Sequence, residues 1–539
     1  MQGVRGSSPL SSTIREVRIS PAPGRFGLLS FPRAVPRRPD RSSSAIVSSQ
    51  IPDEGGCVST VEAKTVAGRV RGRWHGECAV FRGIPFAEPP VGPLRFAAPV
   101  PHAPWDGVRD ALENGATAQR GGDSEPTLIP EPSIPGPSTL NVNVFTPSPG
   151  TDAALPVLVY IHGGGFFAGS PASPWYDGTA FARDGVVTVV ISYRLGFEGF
   201  GWIEGAPHNR GVLDWILALE WVRDNIAFFG GDPGRITISG QSAGGGAVLT
   251  LLGIPSTHHL FHAVCSISGA TADIAAERAQ DYARDLAARA EVAPDRAGFE
   301  SVPEERLLAL QKQAMEISGK PLDALRSLTQ DGLSLGPVVD GELITRPTID
   351  SIRAGAGSQI PLVLGATDDE FSSVVASAAK QMRWIPASLM LGMIGLGGAR
   401  RRSYLAGNTE VRRTGTAAVL GRYLTDAVFR SAVPRIAETR GDAPTWVYRF
   451  SWRSPVNGLA THCLDVPFFF DCLGAERVAQ VAGENPPQAL ATEVHDAAVR
   501  LVTAGDPGWP RYGAAGTTRV FDTPGGVIED GYASVRPLV

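Results

Sequence analysis

A serine held between glycines, where the chain turns from strand to helix, constrains this sequence more than any other feature. Arg235-Ile236-Thr237-Ile238-Ser239 reads as a strand and leads into Gly240-Gln241-Ser242-Ala243-Gly244; Val248 to Leu252 then continue as a buried helix. G-x-S-x-G in that setting is the pattern of a nucleophile elbow. In so tight a turn a side chain on either flank would collide with the neighbouring strand and helix, and the serine itself is held in strained backbone. The next residue's N–H falls at a helix start, where donors and dipole favour a developing negative charge. An ordinary βα turn produces the same five letters in a chain rich in glycine and serine, so the neighbouring segments decide.

Upstream, Val212, Ile216, Leu219, Val222 and Ile226 recur at helical spacing and give one apolar face. Phe229-Gly230-Gly231-Asp232-Pro233 then ends that helix with glycine and a turn-forming Asp-Pro. Helix, turn, strand, elbow and helix in succession is the logic of an open parallel sheet. Leu155 to Ile161 is a second, near-continuous apolar strand, and it runs into His162-Gly163-Gly164-Gly165-Phe166. Glycines there let the backbone approach a ligand oxygen and aim N–H groups at it. A phosphate-binding loop is the competing reading, but no G-K-[ST] follows.

Val186 to Tyr193 and Ile360 to Leu364 read as further strands, and Gly336 to Gly341 as a return to the sheet. Gly365-Ala366-Thr367-Asp368-Asp369-Glu370 follows the second of these, placing three acids at a strand end, either poised to orient a histidine or solvated in a loop. The chain holds nine histidines, His462 among them in the segment Gly458 to Phe468.

Together these segments resemble the type-B carboxylesterase and cholinesterase family of α/β-hydrolases, in particular its bacterial para-nitrobenzyl esterase-type members. FGGDP before the elbow is one marker. Phe81-Arg82-Gly83-Ile84-Pro85-Phe86-Ala87 with Pro89-Pro90-Val91-Gly92 and Leu94-Arg95-Phe96 is another, and Gly505 to Tyr512 a third. The resemblance covers about residues 61–535. It implies an α/β-hydrolase fold, a mostly parallel sheet flanked by helices, with large helical insertions at about 271–330 and 375–430 forming a lid or gorge. It also implies the chain order nucleophile, acid, base: Ser242, Glu370 (Asp369 if the turn is offset) and His462. Gly164, Gly165 and Ala243 become the oxyanion donors. Such a triad hydrolyses small-molecule esters through an acyl-enzyme and needs neither cofactor nor metal.

The same comparison exposes departures. Relatives pair Arg95 with a glutamate that Pro137 replaces here, leaving Arg95 exposed or paired otherwise. Their loop disulfide maps to Ala118 and Thr139, so both halves are missing, as in a reducing compartment. Arg194 matches the partner of the aspartate at Asp214. Cholinesterases carry a cation-binding tryptophan in the stretch that residues 120–139 occupy here, and none is present. Most relatives place glutamate where Gln241 stands. The two differences remove negative and aromatic attraction for cations and point to neutral, apolar esters. Amides, carbamates and lactones share the transition state and stay open. A non-catalytic, cholinesterase-like binding protein is the third reading, although such relatives lose triad members.

With 539 residues, 43% of them hydrophobic, the chain has material for a large core. A net charge of −5 leaves no electrostatic footprint for nucleic acid. No apolar run is long enough for a membrane span. Cys57, Cys78, Cys265, Cys463 and Cys472 form no metal-ligand pattern and no even disulfide framework. Residues 1–55 hold eight arginines amid Ser and Pro, with no signal-peptide core. They read as a disordered arm, a start assigned too far upstream or a transit peptide, leaving 56–539 as the globular domain of a cytoplasmic enzyme.

Overall fold

The computed structural model describes residues 59–118, 129–150, 152–315, 321–330 and 332–539. The 1–55 arm, Cys57 and most of the first half of the 120–139 loop lie outside them. The strands in chain order are β1 (Thr60–Lys64), β2 (Arg69–His75), β3 (Cys78–Pro85), β4 (Val108–Asp110), β5 (Asn141–Thr146), β6 (Leu155–Ile161), β7 (Val187–Ile191), β8 (Gly231–Gln241), β9 (Ala263–Ile267), β10 (Ile274–Ala275), β11 (Val338–Val339), β12 (Leu362–Thr367), β13 (Thr445–Phe450), β14 (Thr518–Phe521) and β15 (Gly526–Ile528).

The main sheet runs in the order β1-β2-β3-β5-β7-β6-β8-β9-β12-β13-β14-β15, with β4 on β2. Its centre, from β7 through β14, is parallel, and antiparallel pairs close both edges. The central strands are buried on both faces, which explains why their sequences are continuous apolar runs without alternation.

Between β7 and β8 the helix Arg210–Asn225 buries Val212, Trp215, Leu219 and Val222, while Ile216 of the same stripe is half-buried. A 3-10 turn (Ile226–Phe229) and Gly230, at φ 82°, end it and return the chain to the sheet. Asp214, on the buried side, accepts from Arg194 through both carboxylate oxygens, at 2.7 and 2.9 Å, and from the Arg194 backbone N–H at 2.9 Å. Neither charge has access to water, so removing one leaves the other unpaired in the interior. Asp214→Ala is therefore expected to cost about 3–5 kcal/mol, read as a lower urea midpoint than wild type.

Several expectations need adjusting. The Ile360–Leu364 strand begins two residues later and runs on to Thr367. Gly365 packs so closely on Tyr448 that a Cβ would meet its ring at 2.4 Å, so here the glycine serves packing. Gly336 to Gly341 does not rejoin the main sheet: β11 pairs only with β10. The Asn209 side chain takes both backbone groups of Val338, at 2.7 and 2.8 Å, and so satisfies the segment without the sheet.

Arg95 is neither exposed nor idle. It meets Glu198 at 2.8 and 3.0 Å and donates to the Val302 carbonyl at 2.7 Å, so a different acid serves where Pro137 stands. Cys78, Cys265, Cys463 and Cys472 are all free thiols. Helices occupy Ala276 to Ala290, Arg296 to Glu300, Glu304 to Met315 and Pro321 to Gln330 in the stretch expected as the first insertion, and much of 379–439 around the one expected as the second.

Candidate active site

Strand β8 lies between β6 and β9 and delivers Ser242 directly onto the helix Ala243–Gly253. Ser242 has φ 58° and ψ −120°, a backbone conformation that non-glycine residues rarely adopt and that persists only where the surroundings enforce it. They do so here. A Cβ on Gly240 would sit 2.4 Å from the Gly244 carbonyl carbon, and one on Gly244 only 2.0 Å from the Ile161 oxygen. The Ser242 N–H donates to Ile267 at 2.9 Å, tying the turn to β9.

The loop after β6 packs on this elbow. A Cβ on Gly163 would lie 2.7 Å from the Gln241 carbonyl oxygen and 3.2 Å from the Ser242 Cβ. Gly164 and Gly165 follow at φ 104° and 63°, and neither N–H donates a hydrogen bond among the described residues. Ala243, at the first turn of its helix, likewise has no carbonyl four residues back within that helix. His162 shapes the loop from beneath, stacked on Tyr193 at 4.5 Å; burial pulls its pKa down to about 4, so it stays neutral.

The three acids after β12 are all buried, which dismisses a solvated loop. Each has its own partner. Asp368 pairs with Arg449 at 2.6 Å and with Arg430 at 3.5 Å; burial opposes its charge, but the two guanidiniums hold its carboxyl below the usual range. Asp369 pairs with Arg422 at 3.0 Å and accepts from the Ala460 N–H at 3.3 Å. Glu370 accepts from the Thr367 N–H at 2.8 Å through one oxygen and contacts His462 Nδ1 through the other. Backbone bonds lace the acid turn to the histidine loop, His462 N–H to Glu370 O at 3.1 Å and Asp369 N–H to Ala460 O at 2.8 Å. Glu370, not Asp369, is thus the acid on the imidazole.

The imidazole is gripped by aromatics. Phe371 and Phe429 lie 5.5 and 4.7 Å from its centroid. Burial alone would lower its pKa. The Cys463 thiol and the Glu370 carboxylate raise it well above the ordinary histidine value, and because burial keeps Cys463 protonated, Glu370 is the charge responsible. Nε2 lies 3.2 Å from the side-chain amide nitrogen of Gln241, and Ser242 Oγ makes no hydrogen bond among the described residues.

Phe429 carries no signal of this role in the sequence; it comes from a π-helical turn (Asp426–Arg430) at the end of the second insertion. Asp465 also escapes the sequence reading. It is buried, accepts from the Tyr448 hydroxyl at 3.3 Å, and is pushed up to about 7 by burial and by the Glu370 charge. Its place three residues after His462 was the available hint.

A family model described as "Carboxylesterase family" matches residues 58–511. The chain belongs to the carboxylesterase family. Para-nitrobenzyl esterase of Bacillus subtilis (strain 168) is 32% identical over 474 residues, covering 83% of this chain and 92% of that protein. Phenmedipham hydrolase of Pseudarthrobacter oxydans is 33% identical over 496 residues, covering 84% and 93%. Among solved structures, a Geobacillus stearothermophilus carboxylesterase superposes with a TM-score of 0.75 at 31% identity, covering 88% of this chain and 99% of that one. This carboxylesterase accordingly has the α/β-hydrolase fold and is a carboxylic-ester hydrolase of the serine type. Among the described residues no helix of the carboxylesterase is long and apolar enough to cross a membrane, and no cluster of three or more His, Cys, Asp or Glu could hold a metal.

Proposed function

We propose that this carboxylesterase cleaves neutral, apolar esters with Ser242 as nucleophile, His462 as general base and Glu370 as the acid that orients it. The observation that carries the reading is the strained Ser242 next in the chain to Gln241, whose amide lies 3.2 Å from the imidazole Nε2, with Glu370 on the far nitrogen. Glu370 fixes the tautomer with the proton on Nδ1, which leaves the Nε2 lone pair free to accept. Ester entry brings the Ser242 hydroxyl to Nε2 in place of the Gln241 amide, in keeping with catalytic hydrogen bonds that tighten only in the substrate complex. Ser242 Oγ attacks the carbonyl carbon as its proton passes to Nε2. The Gly164, Gly165 and Ala243 N–H groups receive the oxyanion. His462 then protonates the leaving alcohol, and water repeats the sequence on the acyl-enzyme.

Amides, carbamates and lactones pass through the same tetrahedral species and form the second reading. The four free thiols support a reducing, cytoplasmic setting. A fluorophosphonate probe tests the nucleophile directly: mass spectrometry should place the adduct on Ser242, and an adduct elsewhere would refute the assignment. A panel of esters of graded acyl length, with matched amides, carbamates and choline esters, tests the substrate class; preference for choline esters would refute it.

Gln241 carries a further expectation. Its amide is already at hydrogen-bond distance from Nε2, so a glutamate there would set a carboxylate beside the imidazolium. An added anion stabilises the protonated base and raises its pKa. The acid limb of the kcat/KM profile in wild type should lie above the ordinary histidine value of about 6.5. In Gln241→Glu it should move to higher pH still, with the loss fully developed below the wild-type limb. A limb that stays in place would mean that burial keeps the new carboxyl protonated.

A further inference from the structure

The outer face of the second insertion plays no part in the chemistry above, yet its composition is unusual. Residues 371–409 carry Lys380, Arg383, Arg400, Arg401 and Arg402 without a single aspartate or glutamate, in a chain whose net charge is −5. The same stretch exposes large apolar side chains: Trp384 is 81% exposed, Leu389 55% and Met393 45%. Leu389 and Met393 are four residues apart on the helix Ala387–Met393 and so share its outer side, while Met390 and Leu391 are buried beneath.

The Arg383 guanidinium lies 4.7 Å from the centre of the Trp384 ring, which fixes a cation at the edge of the apolar patch. Arg400 is engaged by the carbonyls of Pro537 and Leu538, at 2.9 and 3.0 Å. Lys380, Arg383 and Arg402 are the exposed cations that remain. The insertion leaves the sheet at the end of β12 where Glu370 meets His462.

An exposed tryptophan, aliphatic side chains and cations along one short segment are the ingredients of a stretch that lies in a membrane interface. We propose that this face docks on an anionic lipid surface. Trp384, Leu389 and Met393 enter the boundary between headgroups and acyl chains, and Lys380, Arg383 and Arg402 meet the lipid anions. Charge selects this occupant over a second copy of the chain. A two-fold pairing of the patch would bring its cations against each other with no carboxylate from 371–409 to separate them. Docking there would hold the enzyme where apolar esters accumulate.

The test is co-sedimentation of the full-length protein with vesicles of ether-linked phosphatidylglycerol and phosphatidylcholine, which an esterase cannot degrade, against phosphatidylcholine alone. Binding should favour the anionic vesicles and weaken as salt rises. W384S/L389S and K380E/R383E should each lower the partition coefficient about tenfold or more. Both should keep the wild-type melting temperature and turnover of a soluble short-chain ester. Equal binding to both vesicle types, or variants that partition like wild type, would overturn the proposal. So would a wild-type dimer that W384S/L389S converts to monomer while vesicle binding stays unchanged, since the patch would then serve a second copy.

Discussion

Ser242→Ala and His462→Ala are each expected to lower ester turnover by about four to six orders of magnitude while leaving the fold intact. Alanine fits the elbow as serine does, because the crowding there concerns Gly240 and Gly244, not the Ser242 side chain. The double variant should be hardly worse than either single one, since nucleophile and base act as one unit. Stopped-flow measurement of acyl-enzyme formation on a chromogenic ester, with the melting temperature as fold control, decides the matter. A folded Ser242→Ala enzyme that still turns over near the wild-type rate would remove Ser242 from the mechanism.

Glu370→Gln should cost about 10⁴-fold in kcat. The amide keeps the shape but loses the charge that supports the imidazolium, and its single oxygen cannot accept from both the Thr367 N–H and Nδ1. Asp369→Asn gives the contrast. Asp369 faces Arg422 and the Ala460 N–H, so its loss reaches catalysis only through the position of the histidine loop. A misplacement of that kind costs about 10²-fold or less, together with a lower melting temperature from the unpaired buried Arg422. If Asp369→Asn proved the more crippling in kcat, the acid would have to be reassigned.

The legible parts of this molecule were those in which a local constraint forces a local residue. Gly240 and Gly244 could be read because no side chain fits beside the Ile161 carbonyl, and β6 because strands buried on both faces need uninterrupted apolar runs. Other reasons were not legible: Gly365 is needed for the Tyr448 ring of the neighbouring strand, which is far off in the chain. Arg95 was left exposed or paired otherwise because Glu198 is remote in sequence and belongs to no shared motif. Phe429 was invisible for a related reason: nothing near it in sequence says that a π-helical turn will set its ring on His462. Gln241 was noticed as a departure, but its contact with Nε2 depends on how the elbow and the histidine loop meet.

The turn after β12 assigns three consecutive carboxylates to three destinations. Asp368 anchors β13 through Arg449, Asp369 anchors the second insertion through Arg422, and Glu370 is left for the imidazole. Spacing in this turn therefore behaves like a reading frame. Inserting one residue between Thr367 and Asp368 would shift each carboxylate towards its neighbour's partner, even with every side chain retained. Length should be as fixed here as identity. A change of length in the helices downstream would leave the site intact only if this triplet kept its phase.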